Sequence, residues 1–344
     1  MAMAVGVARL APVSPCPLLS DSSSPLIDWT TMAAPREPEV IRDKAAMRAW
    51  SRRRRAEGKT VAVVPTMGYL HQGHLSLISA AAAAASADPV AIVVTIYVNP
   101  SQFAPSEDLA TYPSDFAGDL RKLASTGVVD AVFNPPDLYV RGAGRRGAAS
   151  GGAISCLEEA AGDGHETWVR VERLEKGMCG ASRPVFFRGV ATIVSKLFNI
   201  IEPDVAVFGK KDYQQWRVIC RMVRDLDFAI EIIGSEIVRE ADGLAMSSRN
   251  VHLSREEREK ALSISRSLVD ARTGALKGNT DCKQIKNKIV QTLTETGGQV
   301  DYVEIVEQES LVPVEQIDGP VVICVAAWFG KVRLIDNIEI DTRS

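Results

Sequence analysis

Metal-site and disulfide patterns are scarce in this 344-residue sequence. It has four histidines (His71, His74, His165, His252) and six cysteines (Cys16, Cys156, Cys179, Cys220, Cys282, Cys324), with no Cys-x-x-Cys. Cysteines this far apart in a long chain read as free thiols of a reducing compartment rather than a disulfide framework. Charge of one sign is lacking too. Forty Lys and Arg stand against 43 Asp and Glu, a formal net charge of −3, whereas a nucleic-acid surface would be basic. The run Arg52–Arg55 is the local exception and reads as the solvated end of a helix. No apolar run approaches the ~18 residues of a membrane span. The longest, 91–98 and 321–329, have the length of buried strands. Nucleic acid and membrane are therefore excluded as partners.

What is present is ordinary soluble composition, 46% apolar and 24% charged, over a length that suits two domains. Residues 1–35 stand apart. They are rich in Ala, Ser and Pro, have their first acid at Asp21, and show no helix or strand period. They read as a disordered extension, with organelle targeting as the alternative to a cytoplasmic protein.

From residue 36 the elements alternate. Helix patterns at about 38–57, 74–87, 114–126, 189–201 and 213–226 interleave with apolar runs at 61–64, 90–98, 130–134, 204–208 and 229–233. That alternation predicts an α/β fold with a parallel sheet and right-handed crossovers, its ligand crevice at the carboxyl ends of the strands. The Gly/Ala/Arg-rich stretch within about 141–166 reads as a surface insertion, and the core resumes at 167–171. Beyond 237 the texture changes to a polar loop (239–249), two helices (254–273, 280–295) and strands at 300–306, 321–328 and 331–337. The expected division is 36–236 for the first domain and 237–344 for a smaller α+β domain, with the loop between them as a hinge.

The most informative stretch is 64–74, Val-Pro-Thr-Met-Gly-Tyr-Leu-His-Gln-Gly-His, between a buried strand and an Ala-rich helix. A helix beginning near Gly73 would aim its free N–H groups and positive dipole end at whatever lies above the strand. His71 and His74, three residues apart, would point the same way, and Gly68 and Gly73 would let the backbone approach a ligand. This describes a nucleotide-phosphate site. Zinc binding or a purely structural role are the alternatives, but zinc needs further ligands at compatible spacing. Asn99 and Gln102, after the second strand, offer amides suited to a small hydroxy acid, or serve as turn residues. Gly209-Lys210-Lys211-Asp212 repeats the strand–turn–helix pattern, with a Lys for phosphate, Asp212 in a capping position, and Gln215 one turn on. Met246-Ser247-Ser248-Arg249 supplies two hydroxyls and a guanidinium, a flexible phosphate clamp.

A His-x-x-His turn after the first strand, with a distal Met-Ser-Ser-Arg loop, resembles the nucleotidylyltransferase superfamily. Further motifs narrow this: Pro65–Gly68, Val98-Asn99-Pro100, Ser182-Arg183-Pro184, Lys196–Asn199, Lys211–Gln215 and Asp242–Asn250. Together, in order over about 38–340, they are similar to the pantoate–β-alanine ligase (pantothenate synthetase) family, in its plant-type branch. The resemblance implies a Rossmann-like, doubly wound sheet with a C-terminal lid, and an ATP-dependent, AMP-forming ligase joining pantoate to β-alanine through pantoyl adenylate. It implies a homodimer, with Mg²⁺ carried by ATP. Met67, Gly68, Tyr69, Leu70, His71, Gln72, Gly73 and His74 would line the ATP site, with His74 in the proton-donor position. Gly209, Lys210, Lys211, Asp212, Val238, Met246, Ser247, Ser248 and Arg249 would complete it. His71, His74, Lys211 and Arg249 are the expected catalytic set. Gln102 would hold pantoate and later meet β-alanine, and Gln215 would hold pantoate from the other side. Two departures stand out: Phe186 replaces a common His, and Glu175 lies eight residues before Arg183 instead of about four. The nearest rival is a nucleotidylyltransferase with a dinucleotide product; a silent nucleotide sensor is a second.

Overall fold

Apolar runs that pass through the middle of a sheet are buried on both faces, and the computed structural model shows this for four strands. It describes residues 35–84, 89–104, 107–139 and 165–342. Strand β1 (Glu39–Ile41) leads to helix α1 (Lys44–Ala56), then β2 (Thr60–Thr66), α2 (Gln72–Ala83), β3 (Val90–Ile96), α3 (Phe116–Thr126) and β4 (Val129–Phe133). After a short α4 (Met178–Ser182) come α5 (Phe186–Ile201), β5 (Val205–Gly209), α6 (Tyr213–Asp225) and β6 (Glu231–Ser235). The six strands form one parallel sheet in the order β1-β4-β3-β2-β5-β6.

Successive strand residues point to opposite faces, and each face carries its own core. Val61, Val63, Ala91, Val93 and Phe133 pack with Met47 and Trp50 of α1 and with the apolar faces of α5 and α6. Ala62, Val64, Ile92, Val94 and Val132 pack instead with Leu77 and Ile78 of α2 and Leu123 of α3. The sheet is thus doubly wound. The chain runs outward from β2 through β3 to β4, then restarts at β5 on β2's other side. The order therefore reverses between β2 and β5, and the loops after these two strands flank the switch point where such folds bind ligands.

The remainder is a smaller α+β layer. Helices α7 (Arg255–Leu276) and α8 (Cys282–Glu295) cover one face of an antiparallel sheet of β7 (Gln299–Glu307), β8 (Val321–Phe329) and β9 (Val332–Ile340). Helix α7 opens on a capping box in which Ser254 and Glu257 satisfy each other's backbone N–H groups. The sheet's other face meets Met178 and Tyr213 through Val306, Val322 and Cys324. Strand β9 also grips the turn after β5. The Asn337 amide donates to the carbonyls of Lys210 and Lys211 at 2.9 and 3.0 Å, and Glu339 accepts from Lys210 Nζ and the Tyr213 hydroxyl.

Several boundaries differ from the sequence expectation. The helix expected from 38 begins at Lys44, capped by Asp43, because residues 39–41 pair with β4 as an edge strand. Helix α2 starts two residues early, at the His71 cap, and β6 lies two residues later than expected. Helix α4 carries no sequence signal, and 167–171 packs on the core without forming a regular element. The extension 1–35 (up to 34) and the insertion expected at 141–166 (up to 164) lie outside the described residues. Cys179, Cys220, Cys282 and Cys324 are free thiols, and no helix among the described residues is long and apolar enough to cross a membrane.

Candidate active site

A cavity of about 1300 Å³ opens at the switch point. Met67 and His71 from the loop after β2, with Gly73 and His74 in the first turn of α2, share the cavity wall with Gly209 at the end of β5 and Lys211 and Asp212 of the turn after it. Asn99, Gln102 and Gln215 line it from the side, and Val238 with Met246–Arg249 closes another wall. No regular sequence spacing links these segments. They meet because parallel strands end at one edge.

The sequence suggests helix N–H groups free for a ligand, but the Gly73 N–H is taken by an imidazole and the His74 N–H by the His71 carbonyl. The two imidazoles cap the helix themselves. His71 is the N-cap residue of α2, and its Nδ1 accepts from the Gly73 N–H at 3.1 Å. His74 Nδ1 accepts from the His71 N–H at 3.3 Å. Each ring thereby holds an unprotonated Nδ1, so the neutral tautomer carries its proton on Nε2. The ring centroids are 4.1 Å apart. Gly73 makes room for the cap itself: a Cβ there would lie 2.9 Å from the His71 ring. Gly68, at φ +87°, likewise yields to Asp119 and Ile96 and not to a ligand.

Burial lowers the His71 pKa to about 4, helped by the nearby charges of Lys211 and Lys122. His74 falls to about 3, again chiefly through burial, then through His71, Lys211 and Lys122. At neutral pH both rings are uncharged donors. The sign of the linkage follows. Below about 6.5 the unfolded chain takes up protons that the folded rings refuse, so stability is lost as pH falls from there toward about 4 and 3. Denaturation series on wild type and His74→Gln should differ by a constant offset above pH 7, and wild type should lose stability more steeply between pH 6.5 and 4. Parallel curves would contradict the depressed titration.

Across the cavity the amides divide the work. Asn99 is 1% exposed and fully engaged: its amide donates to Gln102 Oε1 (3.0 Å) and the Gly189 carbonyl, and its oxygen accepts from Tyr139 and Ser101. Asn99 therefore orients Gln102, whose N–H₂ end donates to the Met67 sulfur at 3.4 Å and whose side chain lines the cavity. Gln214 turns inward to three backbone carbonyls, while its neighbour Gln215 lines the cavity.

Some expected contacts are redirected. Leu70 is buried in the core, and Lys210 is turned away to Glu236 and Glu339, so neither side chain is presented to the cavity. Gly68 and Tyr69 of the loop, and Gln72 at the start of α2, do not line the cavity. Asp212 occupies the N-cap position of α6 without making a capping bond; its side chain faces the cavity instead. The loop 239–249 is braced, not loose. Arg239 pairs with buried Asp336, Arg258 holds Glu240 and Asp242, and Asn250 ties to Ala245 and Glu240. Glu175 is buried against Arg170, away from the cavity. The residue four before Arg183 is Cys179, and it does line the cavity, as does Phe186, over which the Arg183 guanidinium stacks at 3.8 Å.

Other lining residues carried no sequence signal. Lys331 and Arg333 come from the far sheet, and Tyr112 bridges Phe103 (5.8 Å) and the Ser248 hydroxyl (3.5 Å). Among the described residues no cluster of three or more His, Cys, Asp or Glu could hold a metal.

The family described as pantoate-beta-alanine ligase matches residues 39–339. The chain belongs to the pantoate–β-alanine ligase family. It is 64% identical to the pantoate–β-alanine ligase of Arabidopsis thaliana over 311 residues, 89% of this chain and 99% of that protein. The pantothenate synthetase of Anaeromyxobacter dehalogenans is 49% identical over 87% of this chain and 98% of its own length. Among solved structures, pantothenate synthetase from Thermus thermophilus superposes with a TM-score of 0.74 at 38% identity, covering 87% of this chain and 98% of that one. The Francisella tularensis pantoate–β-alanine ligase, solved with a β,γ-ATP compound and β-alanine, gives 0.62 at 28% identity over 89% and 98%. This ligase therefore carries its two departures, Cys179 at the position four before Arg183 and Phe186 in place of a His, in a chain strongly similar to a plant enzyme.

Proposed function

We propose that this pantoate–β-alanine ligase makes pantothenate in two steps within the switch-point cavity. The pantoate carboxylate attacks the α-phosphorus of ATP, forming pantoyl adenylate and releasing pyrophosphate. The amine of β-alanine then attacks the acyl carbon, loses a proton and expels AMP. The observation that carries this reading is the opposition, in one cavity, of the His71/His74 donors and Lys211 to the oriented amide of Gln102. Neither step calls for a covalent enzyme intermediate, so catalysis rests on positioning and on charge stabilisation.

In this reading ATP lies over Met67–His74, with Lys211, Ser247, Ser248 and Arg249 around the phosphates. Ser247 also caps the following turn through the Arg249 N–H, which holds the clamp in shape. Gln102 and Gln215 take the pantoate from two sides, and Gln102 later meets β-alanine. Asp212 is the carboxylate beside Lys211 in the cavity wall. Glu107, Glu236 and Asp301 line the same cavity, but among the described residues no three acidic groups gather into a metal cage. That fits Mg²⁺ that is carried by phosphates and keeps most of its waters; the bound ion would neutralise departing pyrophosphate. Residues 237–344 would act as a lid that keeps water from the adenylate, supported by the Asn337 and Glu339 grip on the turn after β5. Assembly as a homodimer rests on the family resemblance, and a cytoplasmic location, with 1–35 as an alternative organelle address, on the spaced cysteines and the composition of 1–35.

Two measurements test this. Pyrophosphate should appear with ATP and pantoate alone, and AMP should follow once β-alanine is added. Pyrophosphate without pantoate, or with a mononucleotide in its place, would favour the dinucleotide-forming rival. Gln102→Ala should raise the pantoate KM by about tenfold, the scale of a lost charge-assisted hydrogen bond, and leave the ATP KM within about twofold. An unchanged pantoate KM would remove Gln102 from that subsite.

A further inference from the structure

The loop that presents the two imidazoles is itself held in an unfavourable shape. Gly68 lies at φ +87° and Tyr69 at φ +52°, and Tyr69 is not a residue that adopts this region readily. In this turn the successive N–H groups of Tyr69 and Leu70 converge on one point, as backbone N–H groups do where a turn gathers an anion. The anion found there is the protein's own. Asp119, on α3 and 1% exposed, accepts from the Tyr69 N–H at 2.8 Å and the Leu70 N–H at 2.7 Å. Lys122, one turn along the same helix, donates to the Leu70 carbonyl at 2.6 Å and lies 6.0 Å from the Tyr69 ring. The residue after Leu70 is His71, whose own N–H begins the cap.

We infer that Asp119, assisted by Lys122, is a positioning residue for the phosphate end of the cavity. Its carboxylate locks residues 69 and 70 and thereby sets where His71 and His74 present their Nε2–H donors. By occupying the backbone concavity, it also leaves the imidazoles and Lys211 as the groups offered to phosphate. Neither Asp119 nor Lys122 lines the cavity, so the action is through the loop. The inference rests on the reading of this cavity as the ATP site.

The test compares three variants of the full chain: Asp119→Asn, Lys122→Met and Asp115→Ala. Asp115 caps the same helix through the Gly118 N–H but does not touch the loop. Asp119→Asn sets an amide N–H₂ against one backbone N–H. It should weaken ATP binding, read by calorimetry, and slow pyrophosphate release by about tenfold or more, the scale of a displaced catalytic group, with the pantoate KM within about twofold. Long-range ¹H–¹⁵N spectra should show the two imidazoles leaving the uniform Nε2–H tautomer. Lys122→Met should raise both imidazole titration midpoints, because one of the charges facing them is removed; Lys211 faces both, and Glu240 and Asp212 face His71. Asp115→Ala should lower the melting temperature and leave ATP binding and tautomers as in wild type. Wild-type ATP affinity and tautomers in Asp119→Asn would overturn the inference. So would an equal loss of ATP binding in Asp115→Ala, which would reduce Asp119 to helix integrity. Should Asp119→Asn fail to fold, unchanged ATP affinity and imidazole spectra in Lys122→Met decide against it. Failure of wild type to bind ATP would sink the functional reading instead, while the imidazole spectra still report on Asp119.

Discussion

Replacing His74 with alanine is expected to slow pantoyl-adenylate formation at least about 10²-fold, near 2.7 kcal/mol of transition-state stabilisation, the scale of losing one preorganised donor. The geometry explains why the loss is large and why it is not a loss of positive charge. His74 Nδ1 is committed to the His71 N–H, which leaves Nε2–H as a fixed donor, and burial keeps the ring neutral down to about pH 3. A neutral donor aimed at a developing charge needs no reorganisation during reaction. Removing the ring also uncaps the His71 N–H, so part of the effect travels through the loop. His74→Gln retains an amide donor and should recover part of the rate. Single-turnover pyrophosphate release measures this, and near wild-type release in His74→Ala would remove it as the donor. The pH dependence is a second check. With both midpoints depressed, kcat/KM for ATP should show no limb near pH 6.5 from these rings; such a limb, abolished in His74→Gln, would contradict the neutral assignment.

Lys211→Met should cost adenylation about 10²- to 10³-fold while leaving the pantoate KM within about threefold, because it removes a buried-site cation from the departing pyrophosphate. Its neighbour supplies the contrast. Lys210 is held by Glu236 and Glu339 outside the cavity wall, so Lys210→Met should mainly lower the melting temperature by loosening β9 from the turn. Equal kinetic losses in both variants would mean that general positive potential, and not contact from Lys211, supports the reaction. The same substitution carries a structural signature. Lys211 lowers both imidazole pKa values, so its removal should raise both midpoints together.

The central strands were legible because β2, β3 and β5 lie inside a parallel sheet. Both faces are covered, so the sequence has to be apolar at nearly every position. Strand β1 was not legible, and the reason is geometric. It is three residues long, pairs on one side only, and leaves Val40 39% exposed, so no apolar run marks it. Strand β6, the other edge, is only partly buried, and its boundary slipped by two residues for the same reason. The sequence pattern places the start of helix α5 at 189, yet its first turn, with Phe186 and Phe187, is already buried, just after Pro184 and the stacked Arg183.

By itself the sequence determined the types of the central elements, the α/β class, the family through its ordered motifs, and the segments that carry polar groups at strand ends. Those properties are local: they depend on spacing, on apolar period and on residue chemistry within a few turns. Only the tertiary structure decided how the groups are used. It turned Lys210 outward and Lys211 inward, made Asn99 an orienting residue for Gln102, and gave the Gly73 N–H at the start of α2 to the His71 imidazole. It also brought Asp119, some fifty residues from the loop it holds, and Lys331 and Arg333 from another sheet, to the same region. A hydrogen bond or a burial shift depends on distances across the fold, and sequence separation carries no record of them.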